Sequence, residues 1–138
     1  MRDVFIIAGP GGMAYGKEEI DLLNNNILSN HNSNGVSIVG DGETTLKLEE
    51  ISKQLTTVAQ TTEPVTIMIQ MHGTVKDGQF YFINGDERIS SKDLFSMISQ
   101  KFDDKPIDIL VSSCHSGACL SDKDILPKES VVRSIITR

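Results

Sequence analysis

Apolar residues fall into two kinds of run along the chain: short uninterrupted blocks, and longer stretches in which they recur every three or four positions. The first block, Asp3 to Ala8 (DVFIIA), is rich in β-branched residues and closes on Gly9-Pro10-Gly11-Gly12, so it predicts a buried strand ended by a loop. Lys17 to Ser29 places Ile20, Leu23, Ile27 and Leu28 on one helical face, a pattern weakened by the Asn24-Asn25-Asn26 run. Val36 to Val39 predicts a second strand. Beyond Gly40-Asp41-Gly42, the residues Leu46, Leu48, Ile51, Leu55 and Val58 predict a second helix, capped by Asp41 or Thr44.

Pro64 to Met71 (PVTIMIQM) predicts a central strand, with proline at its start where no ladder donor is lost. His72-Gly73 follow at once. Thr74 to Ile83 carries Asp77-Gly78 between two apolar segments, the signature of a small hairpin. Ser90-Ser91-Lys92-Asp93 reads as a capped helix start ahead of Leu94, Phe95, Ile98 and Phe102. Pro106 then leads into a further strand, Ile107 to Ser112 (IDILVS), which delivers Ser113-Cys114-His115-Ser116-Gly117 to its end, and Ser130 to Thr137 predicts a fifth strand. Strands alternating with helices predict an α/β fold with a mostly parallel sheet and helices on both faces. There is no internal repeat, low-complexity tract or linker, so residues 1–138 read as one domain.

Composition narrows the function classes. Hydrophobic residues make up 38% and charged residues 23% of the 138 positions, which is the profile of a folding domain and not of a disordered one. A formal charge of -6, from 13 basic and 19 acidic residues without a basic cluster, argues against nucleic acid or an anionic membrane as partner. No apolar stretch is as long as a membrane span, and the Met-Arg-Asp start lacks the features of a signal peptide. The expected location is the cytoplasm, or outside the cell by a route that uses no signal peptide. Cys114 and Cys119 stand five positions apart, where a disulfide would staple little, so both are read as reduced thiols.

In an open parallel sheet the carboxyl ends of the strands share one edge, where functional groups gather. His72 and Cys114 each follow a strand of this kind. If those strands are neighbours, the spacing of about 4.8 Å brings the two loops within reach of each other. A free thiol is mostly protonated near neutral pH, and an adjacent imidazole raises its thiolate share or takes its proton during attack. Gly73 lets substrate approach its backbone N–H, which with the N–H of Cys114 forms a candidate oxyanion hole.

These residues carry a resemblance. A strand, His72-Gly73, a helix, a further strand and then Ser112-Ser113-Cys114-His115-Ser116-Gly117 resemble the caspase, metacaspase and legumain clan of cysteine peptidases, the Cys-His-Ser-Gly run being most like that of metacaspases and their bacterial relatives. The resemblance spans Val4 to Thr137, with its specificity in the two motifs. It implies a caspase-like three-layer α-β-α sandwich, a Cys114 nucleophile, a His72 base, an acyl-enzyme intermediate, no cofactor and a protein or peptide substrate. Ser112, Ser113, His115, Gly11 and Gly12 are the implied substrate-binding candidates. Two departures stand out. Such metacaspases carry an acidic residue two positions before the cysteine, where this chain has Ser112, so a preference for basic residues does not follow. Caspase-like domains also extend beyond a fifth strand. The chain is therefore expected to be the large-subunit-like portion, with a C-terminal subunit or the remainder of a longer chain as partner and with autoprocessing.

Other readings compete. A lone loop histidine is most often structural, and a lone cysteine at a strand end most often a small buried hydrophobe. Their pairing argues otherwise. His72, Cys114, His115 and Cys119 lack a usual zinc spacing, so no metal is expected. The loop from Gly9 to Gly16 matches neither a dinucleotide fingerprint nor a P-loop, which leaves nucleotide binding a minor alternative. Asp77-Gly78 and Gly85-Asp86-Glu87 read as turns and not as calcium ligands. The main alternative to the peptidase is a catalytically silent caspase-like binding or regulatory module.

Overall fold

A computed structural model describes residues 2–9, 33–40, 44–58, 64–102, 105–113 and 115–135. In chain order they form β1 (Arg2–Ala8), β2 (Ser33–Val39), α1 (Leu48–Val58), β3 (Val65–Gln70), β4 (His72–Lys76), β5 (Gln79–Asn84), β6 (Glu87–Ser90), α2 (Ser91–Lys101), β7 (Ile107–Ser112), a 3-10 segment (Ser116–Ile125) and β8 (Val131–Ile135). Five strands make one sheet in the order β2-β1-β3-β7-β8, and every neighbouring pair is parallel. The α/β class and the parallel sheet agree with the apolar pattern.

Side-chain alternation in the central strands decides which face the helices cover. In β3 and β7 the odd residues Val65, Ile67, Ile69 and Ile107, Ile109, Val111 are buried, while the even residues between them are half-buried. Parallel register stacks like on like, with Phe5 beside Ile67 and Ile67 beside Ile109. These odd residues share one core with Leu46, Ile51 and Leu55, with Leu94, Phe95 and Ile98, and with Cys119 and Leu126. Phe5 and Phe102 meet there with ring centroids 5.5 Å apart. Full burial of such a side chain is worth about 1.5–3 kcal/mol.

The connections from β2 to β3, β3 to β7 and β7 to β8 all step the same way across the sheet. Right-handed crossovers put same-direction connections on one face, which is where α1, α2 and the 3-10 segment lie. Helices on both faces were expected. Among the described residues the helices line one face only, while Ile6 and Ala8 are buried on the other with Met68 packed against them. The helix expected over Lys17 to Ser29 falls outside the described residues.

The hairpin expected after the histidine is larger than its sequence signal. Asp77 and Gly78 take the positive φ values of 52° and 79° that a two-residue turn needs, and β6 adds a third antiparallel strand, giving the order β4-β5-β6. Its Phe80 and Phe82 are buried and stack edge to face, with centroids 4.9 Å apart. The helix start at Ser90 is as expected: its side chain accepts from the Asp93 N–H at 3.0 Å.

Two expectations need correction. The helix expected to start at Asp41 or Thr44 begins at Leu48, because the backbone at Leu46 is already engaged. Leu46 N–H donates to Asn84 Oδ1 at 3.1 Å and Leu46 C=O accepts from Asn84 Nδ2, which holds the chain as though it were a paired strand. The loop expected after β7 contains the 3-10 segment, folded by burial of Cys119 and Leu126 and not by a periodic pattern. The expected fifth strand is present as β8. No described helix is long and apolar enough to cross a membrane.

Candidate active site

The strand order reverses between β1 and β3, and in such a sheet the crevice beyond the carboxyl ends at the reversal is the usual ligand site. Met71 and His72 leave β3 at this point. Gly9 leaves β1 beside them, its N–H donating to the Gln70 carbonyl at 3.1 Å. A Cβ on Gly9 would lie 2.8 Å from Met71 Cγ, so glycine is what lets β1 and the Met71 side chain close together. Met71 is buried while His72, the next residue, is exposed. A buried anchor followed at once by an exposed imidazole fixes where the imidazole emerges.

His72 is also the first residue of β4, opposite Ile83. Gly73 lies opposite Phe82. The pair closing a two-residue turn, here Lys76 and Gln79, exchanges both hydrogen bonds, and antiparallel pairs alternate thereafter. Counting back, Gly73 and Phe82 are a pair that exchanges none. The Gly73 N–H therefore points away from β5, toward the edge of β4 that pairs with no other strand among the described residues. That geometry suits a donor to a bound oxyanion.

β7 is the direct neighbour of β3, in register from Val65 beside Ile107 to Gln70 beside Ser112. Ser112 is half-buried, held between Gln70 and Ile135 of the adjoining strands. Ser113 is buried at 1% exposure, so its side chain belongs to the interior and not to an open groove. Cys114, Gly11 and Gly12 fall outside the described residues. His115 is exposed and takes a left-handed conformation, φ 59°, with its carbonyl accepting from the Ala118 N–H at 3.1 Å as the 3-10 segment begins. Non-glycine residues held in this conformation are uncommon and concentrate in turns and at functional sites. The 3-10 segment then packs against β4, β5, α2 and β8, so the chain leaving position 115 comes back beside the hairpin that carries His72.

Cys119 behaves differently from a nucleophile. It is a free thiol with no exposed surface. Burial, and then the nearby Asp122 carboxylate, push its pKa up to about 11, against a smaller opposing effect of a backbone hydrogen bond. It is a protonated core residue. Among the described residues no cluster of three His, Cys, Asp or Glu side chains has the geometry to hold a metal ion.

Sequence reasoning missed Asn84, whose amide ties the hairpin to the segment before α1, and missed the packing of Gly9 on Met71. Neither contact has a local sequence signal, since each joins residues far apart in the chain. No family model matches this chain, and no curated protein matches it.

Proposed function

We propose that this protein is a caspase-like cysteine endopeptidase in which Cys114 is the nucleophile and His72 the base. The observation that carries the reading is the parallel pairing of β3 with β7, which ends on Gln70 beside Ser112. His72 and Cys114 each stand two residues beyond that pair in the chain. Adjacent strands are about 4.8 Å apart, within the range that a small adjustment closes for proton transfer.

In the proposed reaction the Cys114 thiol gives its proton to His72 and its sulfur bonds to the peptide carbonyl carbon. The oxygen becomes an oxyanion held by the N–H groups of Gly73 and Cys114, each donor of this kind being worth about 2.7–4 kcal/mol. Collapse breaks the C–N bond, and the imidazolium returns its proton to the leaving amine. Water, deprotonated by His72, then attacks the thioester and releases the acid and the free thiol. The caspase-like assignment adds a second helical layer over the face that carries Ile6, Ala8 and Met68. It also adds the substrate-binding roles of Ser112, His115, Gly11 and Gly12, and a C-terminal subunit or remainder of chain that completes the groove after autoprocessing.

A silent regulatory module is the second reading, favoured by Ser112, where the resemblance implies a carboxylate. A fluorogenic peptide library assayed with wild type and Cys114→Ala tests the first. Turnover that disappears with the thiol supports the peptidase, and equal turnover by both proteins removes Cys114 as nucleophile. No turnover by wild type, with Cys114 no more reactive than a free thiol, favours the silent module.

A further inference from the structure

Away from the proposed dyad, polar side chains from three separate elements converge. The two N–H groups of Gln79 Nε2 are shared among three acceptors, Ser91 Oγ at 3.1 Å, Asp122 Oδ2 at 3.1 Å and the Phe80 carbonyl at 2.8 Å. The Ser91 hydroxyl donates to the same Asp122 oxygen. Ser91 is fully buried, and Gln79 and Asp122 are half-buried. Gln79 opens β5, Ser91 is the first residue of α2, and Asp122 belongs to the 3-10 segment. Asp122 lies 43 residues from Gln79, so no local backbone preference produces the contact.

The chemistry of this cluster is self-consistent. A carboxylate that accepts from both an amide and a hydroxyl makes charge-assisted bonds, roughly twice as strong as neutral ones. It also meets α2 at its first residue, where the helix carries partial positive charge. Loss of a single member leaves the remaining polar groups unpaired in a partly dry site.

We propose that Gln79, Ser91 and Asp122 are positioning residues that lock the hairpin carrying His72 against the segment following Cys114, and so set the distance between imidazole and thiol. This rests on the reading of His72 and Cys114 as a dyad. The hairpin is held at two points. Asn84, next to the residue opposite His72, fastens one end of β5 to Leu46, and Gln79 fastens the other end to α2 and the 3-10 segment. A ribbon pinned at one end pivots, and pinned at both ends it does not. On the other side, the 3-10 segment begins two residues after Cys114, so fixing Asp122 restrains how that loop leaves β7. Misplacement of a reacting group by about 1 Å costs on the order of a hundredfold in rate.

The test is alkylation of Cys114 by iodoacetamide as a function of pH, followed by mass spectrometry, alongside peptide turnover and circular dichroism. Wild type should show an inflection below the ordinary thiol value of about 8.5 that His72→Ala abolishes. Its absence overturns the dyad and the positioning role together. Given that inflection, Gln79→Met and Asp122→Asn should raise it by about one pKa unit, a tenfold change in the thiol–thiolate equilibrium, and lower kcat with KM unchanged. Asp122→Glu, which keeps the carboxylate, should recover part of both. A folded variant with the wild-type pH profile overturns the proposal. Failure of both Gln79→Met and Asp122→Asn to fold also overturns it, by making the cluster purely structural.

Discussion

Gln70 and Ser112 lie side by side as the last register pair between β3 and β7. In the sequence, His72 and Cys114 each stand two residues further along.

The base is tested apart from the nucleophile. His72→Ala should lower kcat/KM for a cleaved peptide by about 10²–10⁴-fold, the usual share of acid–base catalysis. Unchanged kcat/KM in a folded His72→Ala variant would remove His72 as the base.

Cys119 should be invisible to thiol reagents until the protein unfolds. Native protein treated with iodoacetamide at pH 8 should carry no label on Cys119, whereas protein in denaturant should carry it fully. Because burial and Asp122 raise the folded pKa from 9.0 to about 11, the unfolded state loses this proton first as pH rises. This contribution to stability is complete below about pH 9 and is lost progressively toward pH 11. Urea titrations across that window should show the midpoint falling, and the fall should be smaller in Cys119→Ala.

Gly9→Ala should destabilise the fold by roughly 1–3 kcal/mol, as overpacking of a filled core does. The new methyl would sit 2.8 Å from Met71 Cγ, 3.0 Å from its sulfur and 3.3 Å from Asn84 Oδ1. Met71→Ala opens that space, so the double variant should cost less than the sum of the two single ones in urea unfolding. Additive costs would show that Met71 is not what excludes a side chain at position 9.

Asn84→Ala should cost about 2–5 kcal/mol, because the Leu46 N–H and C=O lose their partner together in a buried setting. Native-state hydrogen exchange should show the Leu46 amide exposed in this variant while the amides of β3 stay protected. Unchanged protection at Leu46 would mean that another group holds it.

The surroundings of the candidate site were only partly legible from residue order. Apolar blocks ending at His72-Gly73 and at Ser112-Ser113 marked both motifs, since a buried strand needs an unbroken apolar run wherever it sits in the sheet. The Asp77-Gly78 turn and the Ser90 cap were legible for the same reason: each depends on the conformational preference of a few adjacent residues. The 3-10 segment was not, because Cys119 and Leu126 follow no helical period and are buried by what surrounds them. Ser113, a candidate for substrate contact on its motif alone, is an interior residue.

The sequence by itself determined the strand-forming runs, the hairpin turn and the start of α2, because backbone sterics, capping and alternation act over a few residues. Only the tertiary structure decided that β3 lies between β1 and β7, that α1, α2 and the 3-10 segment share one face, and that Asn84 and the Gln79, Ser91 and Asp122 cluster hold the hairpin at both ends. Those outcomes join residues tens of positions apart. They follow from which packing buries the most apolar surface while pairing every buried polar group, a condition on the whole chain that no short stretch of it carries.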